Sequence, residues 1–220
     1  TDPTAPRLGV SLVESLRSAW CGGHVKWLSP NEAAEFQVST MPENFWDVWA
    51  EFQILGVDLI IQPLAGRRKA ILLADMDSTM IQQECIDELA IMAGVGNRVE
   101  RITARAMNGE LDFEMSVVER VALLKGLPES IISEVLASRI SFMPGGLILL
   151  ATMKANGAYA ALVSGGFTAF TASVSNRLGF DEHRANILQV NRGLLTGEVE
   201  MPVLGKQSKV DALEEITLRL

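Results

Sequence analysis

The chain has 220 residues, of which 48% are hydrophobic, and a formal net charge of -8. Its length suits either one α/β domain with a smaller additional segment or two small domains. Its fraction of apolar residues is high enough to form a hydrophobic core. The acidic balance argues against a nucleic-acid surface, and no stretch approaches the ~20 apolar residues of a membrane helix. We therefore expect a cytoplasmic protein with neither nucleic-acid nor membrane partners.

Residues 1–66 are predicted to form a small α+β domain. Helical spacing indicates a helix from Ser11 to Trp20, a second short helix could open at Asn31, and "VDLIIQP" at 57–63 is typical of a strand. The proline, glycine and arginines of "PLAGRR", residues 63–68, indicate a boundary. No residue pattern in this domain points to a reaction, so its role stays open.

Residues 67–220 alternate between strand and helix patterns. The apolar runs "KAILLA" at 69–74 and "AYAALVS" at 158–164 are typical of buried parallel strands, and "NILQV" and "LLTGEV" around "NRG" predict a β-hairpin. Together these patterns predict a doubly wound parallel sheet with a helical cap at about 82–144 inserted after the first strand. The predicted helices lie at 81–90, 98–107, 112–125, 129–140 and 206–220, with one more after "GGF" that runs through Leu178.

Asp75 and Asp77 follow directly after the first predicted strand. In open α/β sheets ligands bind beyond the carboxyl ends of the strands, so both carboxylates are expected to face one small space. Each raises the cost of ionising the other unless a cation is present, and oxygen ligands of this kind favour Mg²⁺. We expect Ser78 and Thr79 to open the next helix, whose free N–H groups would suit a phosphate.

This combination of groups predicts phosphoryl transfer through an aspartyl phosphate. Asp75 is the candidate nucleophile, and Asp77 is the candidate acid that protonates the leaving alcohol and later deprotonates water. A simpler interpretation makes residues 77–79 no more than a helix cap. Capping accounts for one aspartate but leaves Asp75 unexplained.

Four ordered motifs carry a resemblance to a known family. "DMDST" matches the DxDx(T/V) signature of the haloacid dehalogenase (HAD) superfamily. With "DMDSTMIQQECIDELA", "AMNGELDFEMSVVERVALLKG", "LVSGGFT" and "SKVDAL", residues 72–213 resemble the phosphoserine phosphatases of that superfamily. The resemblance implies Mg²⁺-dependent hydrolysis of O-phospho-L-serine, the last step of L-serine biosynthesis. Residues 1–66 resemble the family's variable N-terminal extension more loosely.

The resemblance also implies roles for the residues that would hold the phosphate. Ser164 and Gly165, in "VSGGF", would bind phosphate oxygens through a hydroxyl and a backbone N–H. Lys209 would neutralise the phosphoryl group beside Asp75, with Lys206 as a nearby competitor. A plain strand-to-helix turn and a solvated lysine are the simpler interpretations.

Further residues match the family positions that contact the amino-acid part of the substrate. Glu84 would meet the substrate ammonium, and Arg120 would pair with its carboxylate in a forked geometry. Met107 and Phe113 match the apolar lid of the cap. Without the resemblance, the two charges are typical of a helix surface and the two apolar side chains of packing inside the insert.

The family's fourth motif, GDGxND, does not occur in the chain. In the family it supplies an aspartate for Mg²⁺ on a strand beside the first one. We therefore expect the C-terminal part of the core to be missing, Mg²⁺ to bind poorly through Asp75 and Asp77 alone, and these 220 residues to be inactive outside a longer parent protein.

Two other functions remain open at this point. The first is a HAD phosphatase for another small phosphomonoester, which would not need both Glu84 and Arg120. The second is a non-catalytic sensor that binds serine or phosphoserine. The retention of both aspartates and of Lys209 argues against the sensor.

Overall fold

The structure, a computed structural model, describes residues 1–220 and divides into two compact units, Thr1–Arg68 and Lys69–Leu220. The first unit contains helices α1 (Val10–Ala19) and α2 (Phe45–Ile54) and an antiparallel hairpin of β1 (Lys26–Ser29) and β2 (Ala33–Glu35). The helix predicted from Ser11 to Trp20 is therefore confirmed. None of the helices in either unit is both long and apolar enough to cross a membrane.

Two predictions for the first unit are wrong. Asn31 does not open a helix, because it lies in the turn between β1 and β2 with a left-handed φ of 61°, a conformation that asparagine tolerates. The run at 57–63 forms no strand, since the only sheet of this unit is the two-stranded hairpin. Its apolar residues are instead divided between the core, as at Val57, and the surface, as at Ile60.

A three-stranded parallel sheet forms the centre of the second unit. The strands are β3 (Ile71–Ala74), β4 (Tyr159–Phe167) and β5 (Glu182–Asn186), in the order β3-β4-β5. β3 and β4 confirm the two predicted strands. β5 was not predicted, because its sequence "EHRAN" lacks the apolar run that identifies a buried strand.

Five helices connect β3 to β4. The first four, α3 to α6, occupy the range predicted as a helical cap, and the fifth returns to the sheet, where Leu150 joins the main core. The fifth helix was not predicted because its sequence "GLILLATMKA" is apolar on nearly all sides. The helices are α3 (Cys85–Met92), α4 (Gly96–Met107), α5 (Phe113–Ala122), α6 (Ser130–Ser138) and α7 (Gly146–Ala155).

Helices cover both faces of the sheet. Along β4, Ala160 and Leu162 belong to the main core, which includes residues of α7 and of α8 (Thr168–Leu178). Ala161 and Val163 point to the opposite face and pack with residues of α9 (Lys206–Arg219). This alternation is the two-residue period of a strand that is buried on both sides. The predicted doubly wound α/β fold is therefore confirmed.

The predicted hairpin is also confirmed, as β6 (Leu188–Asn191) and β7 (Leu194–Val199). Arg192 and Gly193 at its turn both have left-handed φ angles, as the tightest hairpin turns require. The hairpin contacts the helical insert, because Gly126 N donates to Leu195 O at 2.8 Å and Leu195 N donates to Leu127 O at 2.9 Å. The hairpin thus supports the segment between α5 and α6.

Candidate active site

A cleft of about 310 Å³ lies where β3 and β4 end. Asp75 follows the last residue of β3, and the last residues of β4 form part of the cleft wall. This is the position at which open α/β sheets bind ligands. Eight of the nine predicted site residues line the cleft: Asp75, Asp77, Glu84, Phe113, Arg120, Ser164, Gly165 and Lys209.

Asp75 is held by two different contacts. Its Oδ1 accepts a hydrogen bond of 2.8 Å from Met76 N, and its Oδ2 forms an ion pair with Lys209 Nζ. Lys209 lies in the first turns of α9, so this pair joins residues that are 134 positions apart in the sequence. The ammonium therefore stands next to the carboxylate predicted to attack phosphorus.

The segment after Asp77 is a compact turn and not the start of a helix. The N–H groups of Thr79, Met80 and Ile81 all donate to Met76 O, Ser78 has a left-handed φ of 52°, and α3 begins only at Cys85. The prediction that Ser78 and Thr79 open a helix with free N–H groups is wrong. The physical reason is that Met76, Met80 and Ile81 are all buried, which folds the segment back on itself.

Asp77 caps the helix that does follow. Its Oδ1 accepts from Cys85 N at 3.0 Å across eight residues, so Asp77 caps α3 without being the residue that directly precedes it, unlike the local cap at 77–79 considered from the sequence. The pKa of Asp77 is raised to about 6, chiefly by burial; the hydrogen bonds from Cys85 oppose this rise, and the negative charges of Glu84 and Asp75 contribute to it. A carboxyl group with this pKa can both donate and accept a proton near neutral pH.

The residues at the end of β4 bring the backbone close to the Asp77 carboxylate. Ser164 is 1% exposed, and its Oγ accepts from Gly166 N at 2.9 Å. A Cβ atom at Gly166 would lie 2.6 Å from Asp77 Oδ2, so only glycine leaves room for the carboxylate there. Gly166 was not among the predicted site residues, although the doubled glycine of "VSGGF" was the signal that could have identified it.

The helical insert supplies the opposite side of the cleft. Glu84 Oε1 accepts from Ser78 Oγ at 2.7 Å, and Arg120 Nε donates to Ser116 O at 3.1 Å. Burial lowers the pKa of Arg120, while the carboxylates of Asp87, Glu84 and Asp77 oppose that change. Arginine nevertheless remains charged in proteins, so this side presents one cation and one anion to the cleft.

The ring of Phe113 lies against the backbone on the side of the cleft that faces the insert. A Cβ atom at Gly165 would lie 2.8 Å from Phe113 Cζ, and one at Gly205 would lie 3.3 Å from Phe113 Cδ1. The ring therefore lies against two glycines that come from different parts of the chain. Gly205 was missed by the sequence analysis because it lies outside the four motifs.

Met107 lies outside the cleft that it was predicted to cover. It is the last residue of α4, and its side chain is 84% exposed. The turn at Gly109, which has a left-handed φ of 76°, separates it from Phe113 at the start of α5. Lys206 does line the cleft, but Lys209, three residues further along α9, is the lysine that contacts Asp75.

The two aspartates supply hard oxygen ligands suited to Mg²⁺. No group of three His, Cys, Asp or Glu side chains is arranged around a common point in the structure. Mg²⁺ is commonly held by one or two carboxylates together with water and substrate phosphate. Asp77 is crowded by negative charge, which a cation would relieve. Asp75 and Asp77 therefore fit an Mg²⁺ site of that kind.

Comparison with known proteins identifies the family of the chain. The family model of haloacid dehalogenase-like hydrolases matches residues 72–220, which is more than half of the chain. The chain belongs to the haloacid dehalogenase-like hydrolases. The resemblance drawn from the four motifs is thereby confirmed, and the match begins within β3 of this HAD-like unit.

Phosphoserine phosphatases are among the relatives of this HAD-like chain. The enzyme of Archaeoglobus fulgidus is 40% identical over 168 residues, which cover 76% of this chain and 48% of the relative. That of Vibrio cholerae is 45% identical over 146 residues, covering 66% of this chain and 44% of the relative. The chain thus spans about half the length of these curated relatives.

A solved structure with a related fold is described as a phospho-aspartyl intermediate analogue of phosphoserine phosphatase. It matches with a TM-score of 0.62 and 41% sequence identity, covering 68% of this chain and 71% of that chain. The description indicates that an aspartate carries the phosphoryl group in that protein. This HAD-like chain presents Asp75 at the end of β3, beside Lys209.

Proposed function

We propose that the protein carrying this chain is a phosphoserine phosphatase, which hydrolyses O-phospho-L-serine to L-serine and phosphate. The observation that carries the proposal is a single cleft that joins the Asp75–Lys209 pair, the proton-exchanging Asp77 and the opposite charges of Glu84 and Arg120. The names of the relatives support the same activity. We further propose that the reaction takes place in the cytoplasm and is the last step of L-serine biosynthesis.

Asp75 carries out the first chemical step of the proposed reaction. A carboxylate oxygen attacks phosphorus, the bond between phosphorus and the serine oxygen breaks, and Asp77 gives its proton to that oxygen. Lys209, which pairs with Asp75, offsets the negative charge of the phosphoryl group. The products of this step are free serine and an aspartyl phosphate.

Asp77 acts again in the second step, in the opposite sense. It takes a proton from water, the water oxygen attacks phosphorus, and the bond to Asp75 breaks to release phosphate. A pKa of about 6 allows one side chain to serve as acid and then as base at near-neutral pH. Both carboxyl groups return to their starting states.

Asp75 and Asp77 are the residues that would hold Mg²⁺. When bound, the ion supplies positive charge to the phosphoryl oxygens. Burial is the main cause of the raised pKa of Asp77, and the negative charges of Glu84 and Asp75 add to it; a nearby cation would offset that negative charge. The chain's own cation for the phosphoryl group is Lys209.

The insert side supports an amino-acid substrate. The Arg120 guanidinium would form a forked pair with the substrate carboxylate, and Glu84, which Ser78 orients, would accept from the ammonium group. Phe113, which lies against Gly165 and Gly205, would keep water from the reacting phosphorus. Ser164 and Gly165 would bind the phosphate oxygens from the sheet side.

The deciding experiment is a phosphate-release assay of the full-length protein on phosphoserine, phosphothreonine and an aryl phosphate, with Mg²⁺ or with EDTA. We expect fast release from phosphoserine with Mg²⁺ only, and none from Asp75→Asn. Equal rates on all three substrates would instead indicate a phosphatase for other small phosphomonoesters. Tight phosphoserine binding without phosphate release would indicate a sensor.

A further inference from the structure

Asn186 is a buried polar side chain next to the site that the proposed reaction does not use. It is the last residue of β5 and pairs with Phe167 of β4, and it is 2% exposed. It is not part of the cleft surface. Burying an amide is unfavourable unless its hydrogen bonds are made, so its partners indicate what it holds in place.

Those partners are two backbone segments that both line the cleft or lead into it. Asn186 Nδ2 donates to Gly165 O at 2.8 Å and to Leu204 O at 3.3 Å, while its Oδ1 accepts from Leu204 N at 2.7 Å. The pairing with both polar groups of Leu204 fixes the orientation of the amide, because the reverse orientation would set N–H against N–H. The side chain thus acts as a clamp between residues 165 and 204.

Each clamped segment carries part of the phosphate side of the cleft. Gly165 lies at the end of β4 beside Ser164, and Leu204 is followed by Gly205, which precedes the first residue of α9. From there α9 leads to Lys209 and its ion pair with Asp75. The positions of the two segments relative to each other therefore affect both the phosphate-binding turn and the lysine.

The same two segments form the surface on which Phe113 rests. The ring lies near Gly165 and near Gly205, so it contacts both of the segments that Asn186 joins. No other side-chain amide in this region contacts both segments through hydrogen bonds. Asn186 therefore joins the two halves of this surface, although it does not itself line the cleft.

We propose that Asn186 is a positioning residue, which sets the distance between the phosphate-binding turn at Gly165 and the lysine-bearing start of α9. The inference rests on the proposed function as far as the ligand is a phosphate ester. It does not require that the ester be phosphoserine. Loss of the clamp is expected to weaken the binding of phosphate and leave the binding of the amino-acid end unchanged.

The test compares Asn186→Leu, which removes all three hydrogen bonds, and Asn186→Ser, which keeps a polar group too short to span both segments. The matched control is Thr171→Val, because Thr171 is also fully buried and hydrogen-bonded in this unit, to His183 at 3.0 Å, but lies outside the cleft. The full-length protein is assayed on an aryl phosphate, with inorganic phosphate and with L-serine as inhibitors, so that the inhibition constants do not depend on phosphoserine being the substrate. Thermal unfolding of every variant is recorded.

In both Asn186 variants we expect the inhibition constant of phosphate to rise about tenfold, which corresponds to about 1.4 kcal/mol, and that of L-serine to stay within about twofold. Thr171→Val is expected to lower the unfolding temperature with no change in either constant. An unchanged phosphate constant in the Asn186 variants would overturn the inference. So would an equal loss in Thr171→Val, or the failure of both Asn186 variants to fold.

Amide hydrogen exchange separates this inference from the proposed function. Faster exchange confined to residues 164–167 and 204–209 in the Asn186 variants is the expected result. The protein could fail to hydrolyse phosphoserine and still show both this local change and the weaker phosphate binding. In that case the proposed substrate would be wrong, and the positioning role of Asn186 would stand. Uniformly faster exchange would contradict the positioning role.

Discussion

The cleft has two walls that are built in different ways. The core wall consists of Asp75 and Asp77, which follow β3, of Ser164, which lies in the last part of β4, and of Lys209, near the start of α9. The insert wall consists of Glu84, Phe113 and Arg120, which lie at the start or end of helices α3 and α5. Ser164 of the core wall is 1% exposed, whereas Phe113 of the insert wall is 47% exposed.

We expect this difference to divide the roles of the two walls, with the core wall carrying out the reaction and the insert wall selecting the substrate. The core wall residues are fixed by the sheet, by the Asp75–Lys209 pair and by the hydrogen bond from Cys85 to Asp77, so their geometry leaves little freedom. The insert wall contributes charges on separate helices that can change without disturbing the sheet. Damage to the core wall should therefore lower the rate on every substrate, whereas damage to the insert wall should change which substrate is preferred.

The largest effect is expected from Asp77→Asn. The amide keeps the shape of the side chain but cannot exchange a proton, so we expect kcat to fall about a hundredfold to ten-thousandfold on phosphoserine and on aryl phosphate alike. Steady-state phosphate release on both substrates measures this. A fall on phosphoserine alone would contradict the assignment of Asp77 to the core wall.

Lys209→Met should have the next largest effect. Removing a cation from beside the reacting phosphoryl group is expected to lower kcat about a hundredfold to a thousandfold. Lys206→Met is the matched comparison, because Lys206 lines the same cleft on the same helix but does not pair with Asp75. Similar losses in the two variants, measured by phosphate release, would show that the ion pair is not the feature that matters.

Arg120→Lys tests the insert wall. Lysine keeps the charge but loses the forked geometry, so we expect the KM for phosphoserine to rise about tenfold to a hundredfold. Phosphoethanolamine lacks the carboxylate and should be hydrolysed equally well by the variant and the parent protein. An equal loss of activity on both substrates would indicate that Arg120 affects the reaction itself, as the core wall residues are expected to do.

The smallest effect concerns stability in the absence of metal. The pKa of Asp77 is about 6 in the folded chain, above its ordinary value of 3.8, because the buried carboxylate is costly to ionise. Its contribution to stability is therefore fully present below pH 3.8 and is lost as the pH rises through 6. Urea unfolding in EDTA at about pH 8 should show Asp77→Asn to be more stable than the parent by about 1 to 3 kcal/mol.

The two walls also differ in what the sequence reveals about them. Asp75 and Asp77 follow an apolar run directly, so a short local pattern predicts their position at the end of a strand. Glu84 and Arg120 show no local sign of a site, and only the family resemblance identified them. Met107, assigned on the same basis, lies at an exposed helix end, because the backbone turn at Gly109 is a property of the fold and not of the motif.

Other features depended on contacts that a linear pattern cannot contain. The turn at Ser78 forms because Met76, Met80 and Ile81 find a common core, whereas their neighbours suggested a helix cap. In the sequence, Asn186 is an ordinary polar residue. The fold brings Gly165, 21 positions earlier, and Leu204, 18 positions later, into contact with it. The strand β5 that carries it was missed because its own sequence, "EHRAN", contains no apolar run.

In the proposed reaction Asp75 carries the phosphoryl group between the two chemical steps. The most direct measurement is acid quenching of the full-length protein during turnover of phosphoserine with a radiolabelled phosphate group, followed by treatment with hydroxylamine. We predict label on the protein that hydroxylamine releases, as expected for an acyl phosphate, and no label on Asp75→Asn. Phosphate release without protein labelling, or labelling that persists in Asp75→Asn, would contradict the account.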